Sequence, residues 1–271
     1  MTKMKTIFAV IFLALLIPVL LAAPESEAKV YRGKYANNTK WSYNTKTKTV
    51  TIECCGELPD DGNGSAGWRD YYLKAKKVIF KKGITSIGAG AFDNFQKLEE
   101  VVLPERLETI KASAFFSCYR LKKINVPKTL RTIASDVFIA TKIESFSLRR
   151  VKKIGNMCFL DSKIKEVYLS KNCRSSSLVF GGCEKLKKVT LEDGIKKISY
   201  GMFCDTALKT IDIPGSVFQI GEDAFADCKK LQKVTLHEGI KKVGKNAFYN
   251  TSLKEITIPS TVTKLGKNAF R

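Results

Sequence analysis

The chain is 271 residues long, 44% hydrophobic and 27% charged, which suits one large domain or two ordinary ones and is too apolar for a disordered segment. Its 47 Lys+Arg against 26 Asp+Glu give a net charge of +21, a balance that favours anionic partners without naming one. A single His, His237, leaves multi-His metal centres out and gives Ser-His-Asp or Cys-His catalysis only one residue to build on.

Lys3 and Lys5 precede an apolar run from Ile7 to Leu21, and small residues follow at Ala22 and Ala23. A basic start, a short apolar run and small residues form the layout of a secretory signal. The run is too short to span a membrane and contains Pro18. Ser26-Glu27-Ala28 places small residues at the first and third positions before Lys29, so the segment 1–28 is expected to be removed and the protein to be secreted or held at the cell surface. The segment carries Lys3, Lys5, Glu25 and Glu27, two of each sign, so the charge of +21 belongs to the folded part. No second apolar stretch approaches the roughly 18 residues of a transmembrane helix.

Residues 29–74 are expected to form an N-terminal β cap. Trp41-Ser42-Tyr43, the polar turn Asn44-Thr45-Lys46 and Thr49-Val50-Thr51-Ile52 read as a β-hairpin. A Gly/Asp loop from Leu58 to Gly67 then leads to Trp68, Tyr71 and Tyr72, whose rings are expected to cover the first turn of the body that follows.

From residue 75 to 271 the chain repeats. Phe92, Phe115, Phe138, Phe159, Phe180, Phe203, Phe225, Phe248 and Phe270 follow one another at spacings of 23, 23, 21, 21, 23, 22, 23 and 22 residues, a period that signals a solenoid. Each unit reads L-x-x-I-x-I-P, a turn, I-x-x-I-G, a few polar residues and A-F, as in ALKTIDIPGSVFQIGEDAF ending at Phe225. Ile211 and Ile213 share one strand face by alternation. Pro104, Pro127, Pro214 and Pro259 end that strand because proline donates nothing to a ladder. Val217 and Ile220 begin a second inward segment, and Gly88, Gly155, Gly221, Gly244 and Gly266 are expected to supply a tight bend after it. No unit of this size buries so much apolar surface alone, but stacked coils share one core. At about 4.8 Å per coil, nine coils make a rod about 40 Å long.

This frame resembles the BspA-type leucine-rich repeat family of bacterial surface proteins, over about nine units in residues 75–271, and the segment before it is similar to that family's entry cap. The resemblance implies an α/β repeat solenoid of leucine-rich-repeat type, strand-rich with short helical turns, and a binding role: adhesion to host or neighbouring-cell proteins or glycans. Two departures stand out. In the fifth unit Cys173-Arg174-Ser175-Ser176-Ser177 replaces the second apolar pair, so the segment there is expected to be irregular. The sequence also stops at Phe270-Arg271, inside a unit, which raises end-to-end self-association as an alternative role.

Eight cysteines in an exported protein normally suggest disulfides, but Cys118, Cys183 and Cys228 each lie three residues after a repeat Phe, where other units carry Phe95, Thr141, Ser162, Thr206 and Thr251. Plain buried thiols suit such a slot. Cys158 and Cys204 flank the Phe of their own units, and of the adjacent Cys54 and Cys55 only one can point inward. No Cys-x-x-Cys is present, so no zinc or thiol-redox site is expected. His237 occupies the slot of Pro214 and Pro259 and reads as a surface loop residue. Gly88-Ala89-Gly90 belongs to the repeat and has no following Lys-Ser/Thr, so it is not a phosphate loop. Ser175-Ser176-Ser177 reads as a turn insert. No catalytic residue, metal site or cofactor is expected.

The basic surface carries the functional expectation. One slot, after each leading Leu or Ile, reads Glu99, Lys122, Glu144, Lys165, Lys187, Lys209, Gln232 and Lys254; another, after the first Ile, Leu or Val of the second segment in the regular units, reads Thr85, Glu108, Arg131, Lys152, Lys196, Phe218, Lys241 and Thr263. Equivalent positions stack about 5 Å apart and form ladders outside the rod. Residues 119–210 hold 20 basic and 8 acidic residues, and so +12 of the +21. Lys122, Arg131, Lys152, Lys165, Lys187, Lys196 and Lys209 are therefore the candidate ligand-binding residues, for an extracellular protein or an anionic glycan. Export and the absence of a basic-aromatic module argue against nucleic acid.

Overall fold

A computed structural model describes residues 27–61 and 64–271. The secretory segment expected at 1–28 lies outside the described residues apart from 27 and 28.

The repeat body is a stack of nine coils, numbered here by their rings from Phe92 in coil 1 to Phe270 in coil 9. The rings form one unbroken column: successive centroids lie 5.1–5.9 Å apart with interplanar angles of 2–25°. Phe92 through Phe248 are fully buried. Each ring thus removes its own apolar area from water and meets an offset neighbour on both faces.

The backbone around each ring differs from the short helical pieces expected. The residues two before and two after the Phe adopt left-handed φ, as Asp136 (62°) and Ala140 (56°) do around Phe138, and Asn246 (53°) and Asn250 (54°) around Phe248. A helix cannot run through such alternation. The result is a set of turns in which every second amide reaches the next coil: Asp136 N–H to Asn156 O (3.0 Å), Phe138 N–H to Cys158 O (2.8 Å), Ala140 N–H to Leu160 O (2.8 Å). Asp and Asn recur at these places because their short side chains tolerate that φ. Among the described residues the one helix is a 3-10 turn, Gly67–Tyr71.

Two short strand segments per coil complete the circuit. First segments pair in parallel from coil to coil, Lys77–Phe80 with Glu100–Val102 and then Lys123–Ile124. The pairing stops at coil 4, whose residues 143–148 form no strand, and resumes as Glu166–Leu169 with Lys188–Leu191 and Thr210–Ile213 with Lys233–Leu236. The alternation in Thr210–Ile213 buries Ile211 and Ile213, and the strand ends at Pro214. Second segments pair continuously through coil 5, ending with Lys153–Ile154 against Arg174–Ser175. They resume as Lys197–Ile198, Gln219–Ile220, Lys242–Val243 and Lys264–Leu265.

The bend glycines act differently from the expectation. Gly155 and Gly244 have no left-handed φ; what excludes a side chain is the neighbouring coil. A Cβ on Gly155 would sit 2.3 Å from Ser135 N, and one on Gly244 2.4 Å from Glu222 N. Glycine here lets two backbones touch.

The cap is larger than a hairpin. β1 (Val30–Tyr35), β2 (Thr39–Asn44) and β3 (Thr49–Glu53) form an antiparallel meander, and β3 pairs in parallel with Lys77–Phe80 of coil 1. Trp68 stacks on Phe92 (5.8 Å, 18°) and so begins the ring column, while its Nε1–H donates to Ala91 O at 2.9 Å. Arg69 donates to Gly90 O (3.1 Å) and Asp61 N–H to Ala89 O (2.8 Å). The cap thereby supplies the donors that a preceding coil would supply. The buried Asp61 carboxylate accepts from Ala66 N–H and lies 3.6 Å from Arg69 Nε, and Arg69 also pairs with Asp93.

Candidate functional site

All eight cysteines are free thiols. Cys118, Cys183 and Cys228 occupy the buried slot read from the sequence and donate to the Phe carbonyl of the preceding coil, at 3.1–3.2 Å from Phe92 O, Phe159 O and Phe203 O. Burial pushes the Cys183 thiol up to about 12 and carries Cys118 and Cys158 well above the ordinary thiol range. Such groups stay protonated and are inert as nucleophiles. Cys54 is buried and Cys55 exposed. His237 is exposed, its Nε2 2.7 Å from Asp212 Oδ1 in the preceding coil. Among the described residues no group of three or more His, Cys, Asp or Glu is placed to hold a metal ion.

The seven basic candidates fall into two columns. In the first, Lys122 N–H donates to Glu99 O, Lys165 N–H to Glu144 O and Lys187 N–H to Lys165 O, so the residues stack as their spacing required. Lys209 continues the column and accepts from Gln232 N–H. In the second, Arg131 N–H donates to Glu108 O and Lys152 N–H to Arg131 O, and Lys196 O accepts from Phe218 N–H. The first column precedes the first strand segments and the second precedes the second, so the seven do not converge on one point.

Their charges are also unequal. Lys122 is paired with Glu99 at 3.0 Å and Lys165 with Glu144 at 2.6 Å, each a neighbour in its own column. Arg131 turns its guanidinium back onto Lys128 O and Leu130 O. Lys152, Lys187, Lys196 and Lys209 are exposed and make no ion pair among the described residues.

A third column escaped the sequence reading. Lys153, Arg174 and Lys197 each lie six residues before the Phe of coils 4, 5 and 6, and Lys153 and Arg174 are paired in register. The Ser-rich stretch of coil 5 is therefore no insert: Arg174–Ser175 is a strand, and Ser176 N–H donates to Ile154 O. The signal was present, since Phe159 to Phe180 and Lys153 to Arg174 are both 21 residues. It was hidden because Ser175 stands where Ile154 and Ile198 fill the core.

Stacked coils with a ring column inside, ladders outside and a β cap at one end define a leucine-rich repeat solenoid, a scaffold that displays surface. The BspA type leucine-rich repeat region matches residues 70–178 and 176–271 with six copies, and the chain belongs to that family. No curated protein matches it. Among solved structures it is similar to a leucine-rich repeat protein from Eubacterium ventriosum (22% identity, 88% of this chain and 68% of that one, TM-score 0.67). It is also similar to one from Bacteroides ovatus (22%, 88% and 59%, TM-score 0.60), and to a leucine rich cell surface protein from Faecalibacterium prausnitzii (19%, 89% and 73%, TM-score 0.51). The chain thus spans about three fifths to two thirds of the length of the first two. At these identities the likeness is one of fold. No helix among the described residues is long and apolar enough to cross a membrane.

Proposed function

We propose that this protein is a secreted or surface-displayed adhesion module that binds extracellular protein or anionic glycan through the exposed face of coils 4–6, without catalysis. The observation that carries the reading is the run of unpaired cations there, Lys152, Lys187 and Lys196 from the expected columns and Lys153, Arg174 and Lys197 beside them, all on exposed edges of the coils. Attraction of this kind is additive along a polymer and weakens with salt. The chain should be retained on an immobilised sulfated glycan and released by salt. Lys187→Glu with Lys196→Glu should lower the salt needed for release more than Lys245→Glu with Lys267→Glu, since Lys245 is already neutralised by Glu222 at 3.4 Å. Equal loss from both pairs would remove the central face from consideration.

A second reading, stacking of chains end to end, draws on Ile258 and Leu265 of the last coil, both exposed. A further coil or a second chain would cover them equally. Light scattering at rising concentration tests it, and a constant monomer mass would refute it.

A further inference from the structure

The strand pairing of the second segments breaks between coils 5 and 6, beside the polar Ser175. Ser175 takes the place that Ile154 fills in coil 4 and Ile198 fills in coil 6, and the half-buried Cys173 closes the turn that Val151 and Ile195 close there. At neighbouring junctions the amide after the second segment donates to the preceding coil, as Gly155 N–H does to Ile133 O and Gly221 N–H to Ile198 O. At this junction it is the Ser199 hydroxyl that reaches Ser175 O, at 2.9 Å. The hydroxyl bridges the two second segments in place of a ladder bond, and a cleft of about 380 Å³ lies beside it, room for about a dozen water molecules.

Lys171, Arg174, Lys196 and Lys197 line that cleft, together with Ser175 and Ser199, and its lining contains no carboxylate. None of the four cations makes an ion pair among the described residues. Glu192 is engaged elsewhere, by the Lys171 backbone N–H at 3.2 Å and the Tyr168 hydroxyl at 3.1 Å. Four like charges around one concavity repel one another, and an anion entering it relieves them all. Arg174 adds a planar fork that matches two oxygens of an oxyanion.

We propose that the gap between coils 5 and 6 is an anion-binding site that takes one tetrahedral oxyanion ester, a sulfate ester or a phosphodiester of a linear polymer, on Arg174, Lys171, Lys196 and Lys197. The proposal rests on the polyanion reading above and gives it an anchor: one group of the polymer seats in the cleft, and its flanking charges run along the neighbouring columns toward Lys152–Lys153 and Lys241–Lys242. A smooth basic surface would have no such preferred register.

Titration calorimetry of the chain at physiological salt, with a fully sulfated heparin-type tetrasaccharide and separately with a glycerol-phosphate oligomer of equal charge, tests it. One site per chain is expected, with amide signals of Ser175 and Ser199 shifting on binding. Arg174→Gln with Lys197→Gln should weaken binding at least tenfold, and Lys77→Gln with Lys245→Gln, both already paired with acids, less than threefold. Ser175→Ile, which fills the gap without touching charge, should also weaken binding about tenfold, and an unchanged melting profile shows that each variant folds. Binding of only one probe identifies the ester; binding of both establishes the shared chemistry. If the chain binds but the Arg174/Lys197 variant stays within threefold of it, the cleft is overturned while the polyanion reading stands. Absence of binding to either probe overturns both.

Discussion

Along the phenylalanine edge nine rings stack without a lapse, whereas strand pairing on the other faces stops at coil 4, between coils 5 and 6 in the second segments and between coils 6 and 7 in the first. The edge is uniform because three devices coincide in each coil: a buried ring, left-handed φ on either side of it, and amides that reach the next coil. The strand faces are held by short segments of two to four residues, and their pairing lapses where the ring column does not. Register is therefore kept at one side of the solenoid, and irregularity is tolerated at the others. That is the arrangement a binding scaffold needs, since its variable surface can change without disturbing its axis.

Three substitutions or conditions would sharpen or break this contrast. Phe159→Ala removes a ring stacked on Phe138 at 5.3 Å and Phe180 at 5.6 Å, and should cost about 3–5 kcal/mol in denaturant unfolding. A cost no larger than that of a strand-face change would refute the primacy of the column. Gly244→Ala drives a Cβ into Glu222 N and Gly221 C at 2.4–2.5 Å and should cost about 1–3 kcal/mol. Ser199→Ala, at the parted junction, loses one hydroxyl bond and should cost about 1 kcal/mol. If the two cost the same, the coils are no closer at coil 8 than at coil 6.

The smallest effect concerns the cap. The Ala89 N–H bond, with Lys111 at 3.1 Å, holds the Asp60 carboxyl below its ordinary range. A depressed carboxylate contributes stability that is present above its unfolded value and lost as pH falls through its folded one. The melting difference between the chain and its Asp60→Asn variant should therefore be present at neutral pH and shrink under acid. A difference that persists there would assign the effect to packing.

Much of this was legible in the sequence. The ring spacing gave the coils, Ile211 and Ile213 gave a strand face, and the Cys118, Cys183 and Cys228 slot gave buried thiols, because each is a local pattern that recurs. What stayed hidden depends on neighbours in space. VYRGKY at 30–35 carries no strong alternation and became β1 by pairing with β2, where Gly33 leaves room for the Trp41 ring. The left-handed residues favour Asp and Asn but include Met157, Leu178 and Ala140, so no single identity marks them. The candidate columns were correctly stacked, yet the pairing of Lys122 and Lys165 with their own neighbours could be judged only from geometry. The cleft arises from what coil 5 lacks, and an absence makes no motif.

The ring-edge amides that leave their own coil point one way, from each coil toward its successor, and the cap answers with Trp68, Arg69 and Asp61 the acceptors that coil 1 turns toward it. Such a one-way seam has an evolutionary consequence. Any copy of a 21–23-residue unit presents the same acceptors below and the same donors above, so units can be duplicated or excised between existing ones without redesigning either boundary. Length becomes a freely adjustable trait, and surface charge can then diversify one rung at a time.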